Sequence, residues 1–242
     1  MLKIHSLYLK PNEKVDSNIF DRILIDQTFC KKDGFLSSNE WHRSTEAVDE
    51  YESIVEERAI LLQSLENYEK LHKEMQNNTI KDIPSFGENI VVSGLDSNNI
   101  CIGDKFKIKG DHSNLIIQVS SPRKPCYKID KKHKSVYGLN GLKRYSLTNG
   151  LAGWFCRVIN EGTISKNDTL ELINRKHPDW SLTKISKMIY GNGNYKVQSA
   201  CKVEWVDSID ELDKLINSDE LAYCEWKEEL IEVRKNIKNI KS

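Results

Sequence analysis

The stretch VSSPRKPCYKID, residues 119–130, changes from strand-forming residues into a proline-rich turn that carries one cysteine. Two prolines fix the backbone on either side of Arg123 and Lys124, because a proline ring locks its own φ and biases the preceding residue toward extended conformations. Cys126 follows directly. The apolar run LIIQVS at 115–120 predicts a β-strand, so the whole stretch indicates a stiff loop that leaves a strand and presents a thiol.

Short apolar runs separated by turns continue on both sides of this loop. Glycines lie at the breaks between the runs, which is typical of an antiparallel barrel or sandwich. Near the N-terminus, KIHSLYL (3–9) and RILID (22–26) predict further strands. The runs that predict the main β body are NIVVSGL (89–95), CIGDKFKIKG (101–110), NLIIQVS (114–120), LAGWFCRVI (151–159) and TLELI (169–173).

Two other segments show helical spacing of their apolar residues. Residues 45–76 contain no Gly or Pro and predict one long helix with an apolar face. Toward the C-terminus, Ser181 is a predicted helix cap, and two more helical runs follow it. The sequence therefore predicts a mainly β fold with α elements. Residues 1–174 form a β-barrel domain with an inserted long helix at about 45–76, and residues 175–242 form a C-terminal helical domain.

Composition excludes several functional classes. With 242 residues, 38% of them hydrophobic and 30% charged, the chain can form a core but has no run long enough to span a membrane. The 36 basic and 36 acidic side chains cancel, so no global field favours nucleic acid or an anionic membrane. The first ten residues lack the apolar stretch of a signal peptide. The six scattered cysteines form no CxxC pair, which favours reduced thiols and a cytoplasmic location.

Five motifs in a fixed order carry a family resemblance. They are FGENIVVSGL (86–95), CIGDKFKI (101–108), VSSPRKPCYKI (119–129), AGWFCRVINEGTI (152–164) and RKHPDWSL (175–182). Together they resemble MOSC-domain proteins, and within them the 6-N-hydroxylaminopurine-resistance subgroup. The resemblance implies a MOSC-type β-barrel followed by a small domain of three helices.

The same resemblance implies that the protein binds the molybdenum cofactor, a molybdopterin. The cysteine at the position of Cys126 is the molybdenum ligand or sulfur-bearing thiol that the family leads us to expect, and it carries the catalytic role. The residues that the motifs place around the cofactor are Glu88, Asn89, Arg123, Lys128 and Arg157.

Residue chemistry supports these roles but leaves alternatives open. A thiolate is a soft ligand that suits molybdenum, whereas the alternative for Cys126 is a buried cysteine in a barrel loop. Arg123 and Lys128 would bind an anionic pterin phosphate, or they are solvated charges. Arg157 shares one face of an alternating strand with Phe155 and is either a ligand clamp or an edge charge.

The FGEN motif is ambiguous in the same way. Glu88 would accept hydrogen bonds from pterin nitrogens, whereas Asn89 either contacts the cofactor or holds a tight turn before the strand.

One segment departs from the family pattern. The family has a His-Gly-Gly sequence before a short helix that contains alanine, whereas this chain has DGFLSSNEWHRSTEAVDEY at 33–51, without a Gly pair. Only Asp33, His42 and Ala47 remain recognisable. The departure predicts that this wall of the pocket is rebuilt, with His42 as a further candidate acid or ligand.

The first functional hypothesis is an oxidoreductase that reduces small N-hydroxylated bases or related compounds. The chain has no dinucleotide-binding fingerprint and no cysteine spacing for an iron–sulfur cluster, so a separate redox protein would donate the electrons. No pyridoxal phosphate is predicted, because no lysine stands in a Schiff-base context. Apolar helix faces after Asp207 would support a homodimer.

Two further hypotheses remain. The protein would be a non-catalytic cofactor-binding module, or a carrier that holds a persulfide on Cys126. Alternatively, the altered segment at 33–51 marks a barrel without cofactor that serves as an interaction scaffold, with the helix at 45–76 as its contact surface.

Overall fold

The computed structural model of the chain describes residues 1–11, 20–38, 54–75, 83–111, 113–134, 141–191, 209–222 and 225–241. Within these residues, seven strands close into a β-barrel, because the first barrel strand of the chain pairs with the last at Lys3 and Thr169. In ring order the strands are β11 (Thr169–Asn174), β7 (Lys105–Lys109), β8 (Ile116–Pro122), β9 (Trp154–Asn160), β5 (Ile60–Ser64), β6 (Ile90–Ser93) and β1 (Lys3–Leu9). The barrel fold predicted from the sequence is confirmed.

Four shorter strands lie outside the ring. β2 (Ile23–Ile25) pairs with β1. A small sheet is made of β10 (Gly162–Ser165), β3 (Gln27–Lys31) and β4 (Gly34–Phe35), in that order. The predicted strand at 3–9 has the bounds of β1, whereas β3, β4, β5 and β10 lie outside every run that predicted a strand.

One pair of neighbours in the barrel is parallel. β5 and β6 run in the same direction, with Leu62 opposite Ile90, while the other barrel pairs are antiparallel. A parallel pair needs a crossover connection, and α2 (Leu65–Met75) provides the helix of that crossover. The predicted barrel was purely antiparallel, so this pair is a correction.

The predicted long helix at 45–76 is wrong as a single element. Its middle is β5, whose five residues are all buried, between α1 (Ile54–Glu57) and α2. The run ILLQS can form a buried strand because it gains partners on both edges, β6 on one side and β9 on the other. Residues 45–53 and 76 lie outside the described residues. The hypothesis of a scaffold that uses one continuous helix as its contact surface therefore loses its basis.

In the described part of the chain after the barrel there are three helices, as predicted: α5 (Leu182–Tyr190), α6 (Ile209–Ile216) and α7 (Glu225–Lys241). Ser181 caps α5, and its Oγ accepts a hydrogen bond from the Lys184 N–H at 3.2 Å. Buried side chains of these helices belong to the same hydrophobic cluster as the barrel interior. The division of the chain at residue 174 stays a prediction.

A second, smaller hydrophobic cluster lies beside the barrel. It joins residues of α2, of α3 (Lys128–Lys132) and of α4 (Leu142–Thr148) with Phe86, which follows the crossover. Tyr68, Phe86 and Ile129 are each at most 2% exposed within it. This cluster forms the floor beneath the loop that carries Cys126. No helix within the described ranges has the length and apolar character needed to cross a membrane.

Candidate functional site around Cys126

The loop between β8 and α3 presents Cys126 at the surface. The Arg123 N–H donates to the carbonyl oxygen of Gly153 at 2.9 Å, and the Ile129 N–H donates to that of Cys126 at 3.2 Å. Cys126 is half-buried, whereas Cys30 and the other cysteines that the structure describes are buried. The predicted stiff loop leaving a strand is therefore present, and its thiol is the accessible one among the described cysteines.

Gly153 permits the close approach that holds this loop. Its φ is +90°, in the region that favours glycine, and a Cβ at this position would collide with the carbonyl oxygen of Leu62. Gly153 therefore lets the start of β9 pass tightly against β5 while its own carbonyl binds Arg123. A larger residue here would move the loop that carries Cys126.

The buried thiols have a different electrostatic environment. Burial raises the pKa of Cys101 to about 11, with a further contribution from the negative charge of Asp104. Burial also raises the pKa of Cys156 strongly. Both thiols stay protonated at neutral pH, which makes them poor nucleophiles and poor metal ligands.

Arg123 is a half-buried cation, and one of its donors has no partner among the described residues. Its guanidinium lies 5.7 Å from the centre of the Phe86 ring. Burial lowers its pKa to about 10, against the opposing influence of Cys126 and Glu88, so it remains charged at neutral pH. Its buried Nη1 has no hydrogen-bond partner among the residues that the structure describes. An unpaired buried donor is costly, and an anionic ligand next to Cys126 would satisfy it.

Glu88 lies fully buried beneath this arginine. One of its carboxylate oxygens accepts a short hydrogen bond from the Tyr68 hydroxyl, and the other accepts the Phe86 N–H at 3.0 Å. The Tyr68 oxygen in turn accepts the Ser85 N–H at 2.7 Å. Burial raises the pKa of Tyr68 well above its usual value, and the Glu88 charge adds to this. Tyr68 therefore stays neutral, and its hydroxyl holds the Glu88 side chain in place near Arg123.

Asn89 has a structural position. Its side-chain oxygen accepts the Leu61 N–H at 3.0 Å, and its own N–H donates to the Leu61 carbonyl at 2.8 Å. Its carbonyl oxygen accepts the Tyr8 N–H at 2.8 Å. Asn89 thus connects β5 to β1, which favours the structural alternative over a contact with a cofactor.

Arg157 is not grouped with Cys126. Its guanidinium makes a short ion pair with Glu57 and donates to the carbonyl oxygens of Asp219 at 2.7 Å and Glu220 at 3.1 Å. These contacts tie the barrel to the segment before α7. The geometry supports a structural role for Arg157 rather than a clamp on a ligand.

Lys128 is exposed at the first position of α3, two residues after Cys126. Asp33 is exposed on the turn between β3 and β4, while His42 and Ala47 lie outside the described residues. The structure therefore brings together Cys126, Arg123 and Glu88 and places Lys128 at their margin.

Two residues of the site, Tyr68 and Phe86, were not predicted from the sequence. Tyr68 belonged to the apolar pattern of the supposed long helix, so nothing marked it as a partner of Glu88. Phe86 stands in the FGEN motif, but only the fold places its ring under the Arg123 guanidinium. Among the described residues, no group of three or more His, Cys, Asp or Glu side chains forms a ready metal site. A metal at Cys126 would therefore need ligands other than a cluster of these side chains.

The MOSC-domain family model matches residues 44–171, just over half of the 242 residues. The chain belongs to the MOSC domain family. It is 37% identical over 108 residues to a protein named Reductase from Gibberella moniliformis, a match that covers 45% of this chain and 18% of that protein. It is 35% identical over 92 residues to Protein YiiM from Escherichia coli, which covers 38% of each protein.

Likeness of fold extends over nearly the whole chain. The structure of YiiM from Geobacillus stearothermophilus superimposes with a TM-score of 0.67 at 19% identity, covering 97% of this chain and 100% of that one. The sequence matches span less than half the length of the curated relatives. The resemblance to MOSC proteins of the 6-N-hydroxylaminopurine-resistance subgroup is confirmed in family and fold.

Proposed function

We propose that this MOSC protein is an oxidoreductase that binds the molybdenum cofactor through Cys126 and reduces small N-hydroxylated bases or related compounds. The observation that carries the proposal is the pairing of a half-exposed thiol with the half-buried Arg123, whose buried Nη1 has no partner among the residues that the structure describes. MOSC domains are associated with molybdenum cofactor binding in general, and one relative is named Reductase.

The chemistry of the donors fits the group. A thiolate from Cys126 is a soft ligand of the kind that molybdenum accepts. The Arg123 guanidinium would bind an anionic part of the cofactor, such as a phosphate, because it stays charged at neutral pH. Glu88 and Tyr68 would hold that guanidinium in place from below. Asn89 and Arg157 would act through the fold, since Asn89 Oδ1 already accepts the Leu61 N–H and both Arg157 Nη atoms already donate to neighbouring groups.

Reduction of an N–OH group to N–H consumes two electrons and two protons and releases one water molecule. When bound, the cofactor would supply a centre that changes by two electrons and accepts the oxygen atom. The protein's own part is to bind the cofactor, to fix the thiol and to leave the face above Cys126 open to a small substrate.

The decisive measurement is the molybdenum and pterin content of the purified protein, with Cys126→Ala beside the wild type, from a host that makes the cofactor. Near-stoichiometric metal that is lost in the variant would support the proposal. Cys101→Ala is the matched control, because Cys101 is buried elsewhere and should leave the metal in place. Metal and pterin absent from the wild type would refute the reductase and favour a persulfide carrier.

The electrons would come from a separate acidic redox protein. Lys128, Lys131 and Lys134 are exposed just after Cys126, while Asp130 between them is buried and accepts the Lys143 N–H at 2.8 Å. This face is therefore positive in a chain without net charge, and it complements an acidic partner. Docking here would bring the donor next to Cys126.

Salt and charge reversal would test this partner. We expect kcat/KM for an acidic flavodoxin or ferredoxin from the same host to fall as salt rises, and to fall further in Lys131→Glu. Lys235→Glu, on the exposed side of α7, should leave it unchanged. Equal rates for Lys131→Glu and the wild type would refute the docking face. A cytoplasmic location and a homodimer stay predictions.

A further inference from the structure

The middle of the Cys126 loop is held by a side chain from the C-terminal helix. The backbone hydrogen bonds of Arg123 and Cys126 lie at the two ends of the loop. Between them, the Lys124 Nζ donates to Glu229 Oε1 of α7 at 2.6 Å. This contact spans 105 positions in the sequence.

Glu229 is itself fixed by a second helix. Its other carboxylate oxygen accepts a short hydrogen bond from the Tyr190 hydroxyl at the end of α5. The Tyr190 ring lies 5.6 Å from the Lys124 Nζ and meets the Trp226 ring edge-on, with 5.6 Å between ring centres. Tyr190 and Trp226 are each 1% exposed. The buried Tyr190–Trp226 pair therefore fixes the position of the Glu229 carboxylate that binds Lys124.

The segment before α7 is fastened to the same part of the barrel. The Ala222 N–H donates to the Ser120 carbonyl on β8 at 2.9 Å. Arg157 on β9 holds the carbonyl oxygens of Asp219 and Glu220. The C-terminal region thus binds β8 immediately before the loop, through Ala222, and binds the loop itself at Lys124, through Glu229.

Pro125 couples the position of Lys124 to the position of the Cys126 thiol. Lys124 precedes Pro125, and Pro125 precedes Cys126. Because proline fixes its own φ and restricts the residue before it, a displacement of Lys124 is passed on to Cys126 instead of being absorbed by the loop. The side chains of Lys124 and Glu229 are only 33% and 13% exposed, so water screens their attraction less than on an open surface.

We propose that Glu229 and Tyr190 are positioning residues for Cys126, so that the C-terminal helices hold the thiol loop in its working geometry through Lys124. The inference deepens the proposed function by assigning to the helical region a part in the site. It concerns the position of the thiol, so its test does not require bound molybdenum.

The test is the rate at which iodoacetamide alkylates each cysteine of the full-length protein, followed by peptide mass spectrometry, in the wild type and in Glu229→Ala. A loosened loop opens more often, so labelling of Cys126 should rise about threefold or more. Labelling of the buried Cys156 should stay unchanged, because it reports opening of the core and not of the loop.

Asp213→Ala is the matched control. Asp213 also binds α7, through a paired contact with Arg234 at 2.6 and 2.8 Å, but it connects α7 to α6 and not to the loop. Its removal should leave Cys126 labelling at the wild-type rate. If Glu229→Ala does not fold, Lys124→Met breaks the same contact from the loop side.

Two results would overturn the inference. One is wild-type labelling of Cys126 after the Lys124–Glu229 contact is broken. The other is a rise in Cys126 labelling that Cys156 matches, because that would reflect general unfolding. Wild-type protein without molybdenum would instead refute the proposed function and leave this result intact.

Discussion

Two places in the molecule bring together an arginine, a cysteine and a carboxylate, with opposite outcomes. At the junction of barrel and helices, Arg175 binds both oxygens of Asp104, at 2.9 and 2.7 Å, beside the buried Cys101. At the loop, Arg123 lies beside Cys126 and above Glu88, and its Nη1 has no partner within the described ranges.

The two arginines differ in pKa because Arg175 has a carboxylate partner, whereas Arg123 is desolvated without one among the described residues. Hydrogen bonds to Asp104 raise the pKa of Arg175, whereas burial lowers that of Arg123 to about 10. The junction pairs its charges and protects its thiol, and the Cys101 Sγ donates to the Pro178 carbonyl at 3.4 Å. The same residue types therefore form a structural contact where the carboxylate accepts the arginine's hydrogen bonds. They form a candidate binding site where one arginine donor has no acceptor among the described residues.

The largest expected difference between the two places is the effect on activity of replacing the cysteine in each. Cys126→Ala should lower the proposed reductase activity about a hundredfold or more, because it removes the proposed metal ligand. Cys101→Ala should leave kcat/KM within about twofold, since it lies outside the site. Steady-state rates with 6-N-hydroxylaminopurine and a supplied electron donor check both. Equal losses in the two variants would contradict the comparison.

Breaking the junction should cost stability and not activity. Asp104→Ala removes both carboxylate contacts of Arg175, which keeps only its hydrogen bond to the Asn99 carbonyl among those that the structure describes. It also removes the acceptor of the Cys101 N–H, at 2.9 Å. Because Asp104 is fully buried, we expect a loss of about 3 kcal/mol in the free energy of unfolding. Urea unfolding measures it. A loss below about 1 kcal/mol would mean that the pair is not a structural contact.

The raised pKa of Cys101 predicts a decline of stability in alkaline solution. The thiol has its usual pKa of 9.0 in the unfolded chain and about 11 in the fold. Between these values the unfolded chain has released the proton that the folded chain still binds, so stability is complete below pH 9 and falls as pH rises toward 11.

The thiol would contribute up to about 2 kcal/mol to this decline. Urea unfolding of Cys101→Ala at several pH values should therefore show a shallower slope than the wild type. If the free energy of unfolding declines with pH equally in both proteins, groups other than Cys101 cause the decline.

The smallest expected effect on stability belongs to Arg123. Arg123→Met removes a half-buried charge whose buried Nη1 has no partner in the described part of the chain, so the free energy of unfolding should change by less than about 1 kcal/mol or rise slightly. The molybdenum content should nevertheless fall. Thermal unfolding and metal analysis of the same preparation test this, and a large loss of stability with full metal content would reverse the assigned role.

Local features of the fold could be predicted from the sequence. The strands around the loop, the proline-stiffened turn and the Ser181 cap depend on residues within a few positions of one another. Prolines restrict φ, alternating residues favour strands, and a serine before an apolar run caps a helix. The five ordered motifs also predicted the family, which is confirmed. They named Cys126, Arg123 and Glu88 as site residues, which the fold brings together, and the roles of these residues stay predictions.

Only the tertiary structure decided the remaining features, because they depend on partners distant in the sequence. The run ILLQS fits a helix or a buried strand equally well, and its pairing with β6 and β9 makes it a strand. The motif position of Arg157 could not reveal that carbonyl groups beyond residue 218 bind it. Likewise, Tyr68 beneath Glu88 and Glu229 on Lys124 are brought into contact by burial and chain packing, which no local pattern encodes.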